Sequence, residues 1–385
     1  MFDRIKNGVK SHIGFGNIGF SDLTGSGLAV IFWLYLASVM QPEEYGEIHF
    51  FLGIAGLIQV ISMIGSFNSV VVLSSKEKRS HTSLFLLSLI PSIISSIIAF
   101  IIFSRIDVGL LAISYVIFES VNGLVLGNKF YQKYTKIILI QKISTVVIGI
   151  SIFHTIGHEG IIFALVLTYV THMIIFAKEF SSVKMDFGIL KKNKEFIVNN
   201  YVTQLSGGFR GQIDKIIIAP LLGLSLLGSY ALTLQIYAML IIISTISFKY
   251  FLSQDSSGIS SKNLKKIIIV SSVIISICGI VFLPIIIEML FPKFVDVIDA
   301  IKIISIAVVP TTITMIITSK LLGDLKSRYV LIVRIISTGT MIVGFILFGP
   351  IFGLIGLVII HVIVEILIAS ILVVINKKEY GKTIV

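Results

Sequence analysis

The side chains of this sequence that could do chemistry stand inside long apolar runs, where an ionisable group is costly enough to need a partner or a task. The densest group lies between 204 and 215. There Gln204, Arg210, Gln212, Asp214 and Lys215 share a segment with Ser206, Gly207, Gly208 and Gly211. Arg210 and Asp214 are four apart, a spacing that can bring them to one helical face as a self-neutralising ion pair. The alternative is a cavity wall, because a guanidinium is a planar fork suited to phosphate oxygens and the nearby glycines suit close helix approach. In the first half of the chain the polar candidates are Asp22, Asn68, Glu119 and Asn122. Glu119 and Asn122 sit one turn apart and either line a cavity or pair with a lysine near the membrane face. His361 and Glu365 are again four apart, which suits either an ion or proton relay or a hydrogen-bonded structural pair. His172 belongs with this weaker set, while Arg334 and Lys142 read as cations that snorkel along apolar stems.

The missing patterns matter as much. No Gly-rich phosphate loop, His/Cys metal spacing or serine nucleophile elbow occurs, so no catalytic residue, metal ligand or cofactor is expected. The lone Cys278 excludes an intrachain disulfide and reads as a packing residue. No small-residue cleavage site follows the basic opening, so a cleaved signal peptide is not expected.

Positioning such residues falls to membrane-spanning helices. Of 385 residues, 56% are hydrophobic and 13% charged, and the mean hydropathy is +1.03. A soluble domain carries about 25% charged residues and could not hide this surface. Residues 82–104 and 267–287 hold no charge at all, and each run matches the roughly 20 residues a helix needs to cross hydrocarbon. The runs are continuous rather than alternating, which favours closed helices over a barrel. The fold class is therefore all-α, a polytopic integral membrane protein. Twelve spans are predicted at about 17–40, 46–74, 82–104, 108–128, 136–156, 159–178, 198–221, 225–250, 265–290, 297–319, 328–348 and 351–374, the last two divided at Gly349-Pro350. Pro91, Pro220, Pro284 and Pro310 fall in or at the ends of spans, as kinks or as hinges.

A repeat organises these spans. Residues 21–48 match 203–230 without a gap: Ser21-Asp22-Leu23-Thr24-Gly25 answers Thr203-Gln204-Leu205-Ser206-Gly207, Ala37 meets Ala219, and Gly46 meets Gly228. Asp22 thereby aligns with Gln204. The expectation is two pseudo-symmetric six-helix lobes, 1–190 and 191–385, entering the membrane in the same direction about an axis along its normal. Lysine and arginine then orient the chain, because cytoplasmic loops retain positive charge. Of the 31 basic residues, 24 fall on one side, from Arg4, Lys6 and Lys10 through Lys129, Lys133, Lys136 and the 178–194 cluster to Lys377, Lys378 and Lys382. The opposite loops show Glu43, Glu44, Asp107, Glu159, Asp296 and Asp299. Both termini should be cytoplasmic. The net charge of +11 is this positive-inside signal, with contact to membrane lipid headgroups as an added role. No basic helix interleaved with aromatics stands clear of the membrane, so nucleic acid is excluded as a partner.

Two segments carry a family resemblance. Val39-Met40-Gln41-Pro42-Glu43-Glu44-Tyr45-Gly46 resembles a Gly-Pro-Glu-Glu-Tyr-Gly-type turn that closes the first span, with Gln41 where glycine is usual. Gln212-Ile213-Asp214-Lys215-Ile216-Ile217-Ile218, followed by Leu221-Leu222-Gly223 and Gly228-Ser229-Tyr230-Ala231-Leu232, resembles the Asp-basic-apolar opening of the second half of polysaccharide-biosynthesis membrane proteins. These are the O-antigen-flippase-like members of the multidrug/oligosaccharidyl-lipid/polysaccharide (MOP) exporter superfamily. Many relatives carry fourteen spans where twelve are read here. The resemblance implies MATE-like exporter architecture, with a V-shaped cavity between lobes. It implies a flippase, not an enzyme, that moves a lipid-linked oligosaccharide on a polyprenyl diphosphate from the cytoplasmic to the outer leaflet of the cell membrane by alternating access. Arg210 would then meet the diphosphate, with Asp214, Lys215, Gln204, Asp22, Asn68, Glu119 and Asn122 as further cavity candidates. A polysaccharide polymerase is the protein partner this implies, and a monomer suffices because one chain holds both lobes. The alternative is an ion-coupled multidrug exporter of the same superfamily, with Asp22 and Glu119 as the carboxylates that receive a cationic compound.

Overall fold

The computed structural model describes residues 2–76, 81–182, 186–256, 262–324 and 326–381, and among them helix is the only regular secondary structure. The first half contains α1 (Phe2–Val39), α2 (Pro42–Ser62), α3 (Phe67–Lys76), α4 (His81–Phe103), α5 (Ile106–Gly127), α6 (Tyr131–Ile156), α7 (Ile161–Thr168), α8 (Val170–Ser182) and α9 (Phe187–Lys192). The second contains α10 (Lys194–Leu222), α11 (Leu224–Leu240), α12 (Ile242–Ser256), α13 (Lys262–Leu290), α14 (Val297–Ser305), α15 (Val308–Gly323) and α16 (Ser327–Tyr380). Of the 24 basic residues that orient the chain, Lys78, Arg79, Lys184 and Lys382 lie outside the described residues, as do the side chains of Arg4, Lys6, Lys10 and Lys76.

Among the described residues eight helices are long and apolar enough to cross a membrane, and ten spans result if the bent pairs α11–α12 (52°) and α14–α15 (42°) each count as one. The twelve predicted spans are reached with α10, whose 29 residues suffice in length but include Gln204, Arg210, Gln212, Asp214 and Lys215, and by dividing the 54-residue α16.

Two predicted boundaries are corrected. The span expected over 46–74 is broken: α2 ends at Ser62 and α3 starts at Phe67. Ser66 lies at φ 36, and its Oγ accepts a hydrogen bond from the Ser69 N–H at 3.2 Å, so it caps α3 where a continuous helix was expected. Gly65 lies so close to α4 that a Cβ there would meet the Leu84 carbonyl at 2.7 Å. In α16 the break falls at Gly353 (φ 55, ψ −136), three residues beyond the predicted Gly349-Pro350. Proline's fixed φ is compatible with helix, whereas the left-handed corner needs the residue without a Cβ.

The chain forms two compact units, one of residues 1–33 and 51–212, the other of 34–50 and 213–385. Each turns a water-soluble fold inside out. In the first unit Ser88, Ser92 and Ser96 form the buried stripe of α4, while Ile93, Ile94, Ile97, Ile98 and Ile101 face outward. Ser96 Oγ donates to the Gly109 carbonyl at 3.0 Å, and the Gly65 N–H donates to Ser88 Oγ at 2.8 Å. In the second unit Ser272, Ser276 and Gly279 are the buried stripe of α13, and Ile267, Val270, Ile274, Ile277 and Val281 face outward. Ser276 Oγ donates to the Ser305 carbonyl at 2.8 Å. Small and hydroxylated residues inside with large aliphatics outside is the packing that lipid selects, because apolar burial drives nothing when the solvent is itself apolar. Cys278, expected to pack, is exposed on this outer face of α13.

The repeat keeps its register in the backbone. The α1–α2 break, Val39 to Pro42, and the α10–α11 break, Leu222 to Leu224, fall at equivalent positions. Gly46 and Gly228, paired by the repeat, meet each other: a Cβ at 46 would collide with the Leu224 carbonyl, and one at 228 with the Pro42 carbonyl. Leu224 is itself the repeat partner of Pro42. The contact is reciprocal, as expected where a local two-fold axis passes between equivalent residues.

Candidate functional site

Within the first unit, α1, α3, α5, α6 and the leading part of α10 carry the candidates. Asp22 on α1 is half-buried, and the Tyr134 hydroxyl of α6 donates to its Oδ1 at 3.4 Å. On α5 Glu119 is half-buried and Asn122 fully buried, and the Asn122 Oδ1 has no hydrogen-bond partner among the described residues. Lys142, expected to snorkel, lays its stem against Gly25 of α1, with Cγ 3.2 Å from where a Cβ would stand. His172 is fully buried, its ring 4.8 Å from Phe118 and its two nitrogens without hydrogen-bond partners among the described residues. Arg334, in the other unit, is exposed along α16.

Gln204 has a backbone partner in the first unit. Its Oε1 accepts the Phe67 N–H at 3.0 Å, so it satisfies a donor at the start of α3. Asn68, the next residue, is exposed. Of the α10 glycines, Gly208 marks a close approach, since a Cβ there would meet Val60 Cγ2 at 2.5 Å, whereas nothing lies within 4 Å of a Cβ on Gly211; the Gln212 side chain fills the space over Gly56 of α2. The Tyr201 hydroxyl adds a bond to the Ile61 carbonyl at 2.7 Å. Arg210 is half-buried, and α10 stays helical through it, so Arg210 and Asp214 stand one turn apart on one side of that helix.

In the second unit Asp214 is 7% exposed, and its Oδ1 accepts the Lys215 N–H at 2.8 Å. The turn motif is explained locally. Glu44 Oε2 accepts the Gln41 N–H at 2.8 Å, half of a capping box at the start of α2, and Tyr45 is fully buried with its ring 6.0 Å from Phe294. The sequence-predicted His361 and Glu365 each meet a hydroxyl from another helix. His361 Nδ1 shares a hydrogen bond of 3.3 Å with the Tyr230 hydroxyl, and Glu365 Oε2 accepts from Thr311 Oγ1 at 3.0 Å. Thr311 in turn bonds the Tyr237 hydroxyl. Sequence reasoning missed Tyr134, Tyr230, Tyr237 and Thr311, since hydroxyls within spans are common and only their meeting partners single them out.

Buried hydroxyl stripes, outward aliphatics and helices of crossing length define a multi-pass, all-helical membrane protein. No protein-family model matches the chain, and no curated protein does. Solved structures do match. An inward-facing multidrug resistance MATE family transporter of the MOP superfamily aligns with 93% of this chain and 94% of its own, at 17% identity and TM-score 0.73. The lipid II flippase MurJ, in an inward closed conformation, aligns with 93% of this chain and 87% of its own, at 14% identity and TM-score 0.71. An outward-facing MATE family transporter aligns over 97% and 95%, at 17% identity and TM-score 0.60. The chain therefore has the fold that these MATE transporters and MurJ share.

Proposed function

We propose that this chain is a flippase that carries a polyprenyl-diphosphate-linked oligosaccharide from the cytoplasmic to the outer leaflet of the cell membrane, by alternating access, for surface polysaccharide synthesis. Two six-span lobes, 1–190 and 191–385, alternate about the cargo, and both termini lie in the cytoplasm. The observation that carries this reading is the pair of cations, Arg210 and Lys215, in the α10 span of a fold that also serves a lipid II flippase. A guanidinium at membrane depth suits a diphosphate, which offers oxygens in the geometry of its fork. Asp214, Gln204, Asp22, Asn68, Glu119 and Asn122 are the polar remainder of the cargo path. The chain acts as a monomer, and its product is consumed by a polysaccharide polymerase on the outer side.

The test is reconstitution with a fluorescent polyprenyl-diphosphate oligosaccharide. Arg210→Ala is expected to slow its translocation roughly tenfold or more, the loss of a hydrogen bond to a charged group, with protein level unchanged. Full translocation by that variant would remove the anion site. One observation favours a second reading, an ion-coupled multidrug exporter: Asp22 and Glu119 place two carboxylates in the first unit, with the Tyr134 hydroxyl 3.4 Å from Asp22. Gradient-driven ethidium efflux that is lost in Asp22→Asn, without movement of the sugar lipid, would establish it instead.

A further inference from the structure

The first unit holds a carboxylate that its own side chains leave unanswered. Glu119 of α5 is half-buried and makes no hydrogen bond or ion pair among the described residues. The buried carboxylates of the second unit differ: Glu365 accepts from Thr311 Oγ1 at 3.0 Å, and Asp214 from the Lys215 N–H at 2.8 Å. An ionisable group at membrane depth is costly, and one that no neighbour satisfies points to a group from outside the fold. One turn further along α5, the buried Asn122 Oδ1 is likewise without a hydrogen-bond partner among the described residues.

Residues from α1, α5, α6 and the α7–α8 break stand near this carboxylate. Tyr115, Phe118, Glu119 and Asn122 are spaced to share one face of α5. Tyr169, at the α7–α8 break, packs its ring edge-on to Tyr115 at 5.7 Å and to Phe118 at 5.4 Å, and the buried His172 ring lies 4.8 Å from Phe118. Such contacts fix where the tyrosine rings stand. Glu119 is within electrostatic reach of the Tyr169 hydroxyl and of the Tyr134 hydroxyl of α6, and Tyr134 donates to Asp22 of α1 at 3.4 Å. No cation among the described residues is close enough to act on Glu119. Lys142, the cation within the α6 span, lays its stem on Gly25 and feels neither carboxylate.

Counting donors and acceptors shows what this group can hold. A carboxylate only accepts, the Tyr134 hydrogen is engaged on Asp22, and the Tyr115 and Tyr169 hydroxyls can play either part. The balance calls for a ligand that brings hydrogens. A sugar does so, because every hydroxyl has one to give and neighbouring hydroxyls can reach both oxygens of one carboxylate. A uronic acid differs from its parent sugar in carrying a carboxylate at C6 where the parent has a hydroxymethyl. That carboxylate has no hydrogen to give, and it sets a like charge against Asp22 and Glu119, an opposition that interfaces use to exclude wrong partners.

We propose that this face of the first unit reads the saccharide of the cargo, that Glu119 and Asp22 take a sugar by its hydroxyl hydrogens, and that the site rejects uronic acids. The proposal rests on the flippase reading given above, to which it adds the class of sugar. Arg210 and Lys215 keep the diphosphate on α10, so the two ends of the cargo head group are recognised by opposite chemistry: cations for the phosphates, acceptors for the sugar.

The test uses two probes that differ at one carbon, fluorescent polyprenyl diphosphates carrying glucose or glucuronic acid, with the full chain in proteoliposomes. The wild type should move the glucose probe about tenfold faster or more, the discrimination expected when a hydrogen bond to a charged group is lost. Glu119→Gln, which puts an amide hydrogen where a charge stood, should narrow that ratio severalfold, whereas a merely structural role would slow both probes alike. Equal rates in the wild type, or a ratio that Glu119→Gln leaves unchanged, overturn the proposal and leave the flippase reading standing. A preference for glucuronic acid that Lys142→Met abolishes also overturns it and assigns the sugar to that ammonium. If neither probe moves, the flippase reading fails, and a second measurement decides the site by itself: thermal stabilisation of the detergent-solubilised chain by the same two sugars on a short-chain prenyl diphosphate. Greater stabilisation by the glucose form that Glu119→Gln reduces supports the site, and equal stabilisation, or none, overturns it.

Discussion

At the scale of single residues, an ionisable side chain in this protein is explained by the atom it meets, and the Asp255–Lys265 pair shows this most directly. Lys265 Nζ reaches both Asp255 oxygens, at 2.6 and 2.9 Å, and Ser319 Oγ donates to Oδ2 at 2.7 Å. Both side chains are 9% exposed, and the ammonium stands 5.5 Å from the Phe251 ring centre. Removing one partner strands a buried charge, which costs about 3–5 kcal/mol, while removing both together costs far less. Asp255→Asn should therefore lower the unfolding temperature in detergent sharply, and adding Lys265→Met should restore most of the loss. Equal destabilisation of the single and double variants would show that the pair does not hold the ends of α12 and α13 together. Gln204 makes the complementary point: at sequence level it is a polar group at span depth, whereas in the fold its Oε1 takes the Phe67 N–H. Gln204→Ala should cost about 1 kcal/mol through α3, read as faster amide exchange over 67–70.

At the scale of helices, close approach of backbones decides what is tolerated. At Gly46 and Gly228 an added methyl would run into a carbonyl of the facing helix, which has no side-chain torsion with which to yield. Gly46→Ala and Gly228→Ala should each destabilise by about 1–3 kcal/mol or more, the cost of overpacking. Gly339→Ala, on α16 where nothing lies within 4 Å, should gain up to about 1 kcal/mol of helix propensity. Thermal unfolding of the three variants side by side checks the contrast, and a Gly339→Ala loss equal to the others would refute it. The sequence made these two glycines visible as a repeat pair, and apolar runs located nearly all the helices, because crossing length and hydropathy are local properties. What stayed hidden depended on a second helix. The α2–α3 break rests on Gly65 against Leu84 and on Ser66 as a cap, and no local pattern in an apolar run reveals either. Candidate carboxylates were legible by type, but their hydroxyl partners Tyr134, Tyr237 and Thr311 were not, since tyrosine and threonine are ordinary within a span until something ionisable stands beside them.

At the scale of the whole molecule, the direction of transport depends on which side each loop faces, and charge makes a definite assignment. With 24 of 31 basic residues expected on one side, the positive-inside rule predicts that both termini are cytoplasmic, and an even number of spans per repeat would give both copies the same direction. The charge assignment supplies probes for each side, because Glu43, Glu159 and Asp299, expected outside, are exposed, and so are Lys133, Lys191 and Lys377, expected inside. Cys278 is the one cysteine of the chain and is exposed, so Cys278→Ser gives a silent background for single cysteines. In intact cells a membrane-impermeant maleimide should label E43C, E159C and D299C, and should reach K133C, K191C and K377C only after the membrane is opened. The reverse pattern would invert the chain and with it the proposed cytoplasm-to-outside direction, whereas labelling of only one member of a set would mean that a helix counted here as a span does not cross. Because α10 carries the most polar residues among the proposed spans, K191C against E43C and E159C is the comparison that bears on it most: α10 must cross for Arg210 to stand at membrane depth, and α10 that lay along the surface instead would leave its guanidinium at the headgroups, where no cargo need pass.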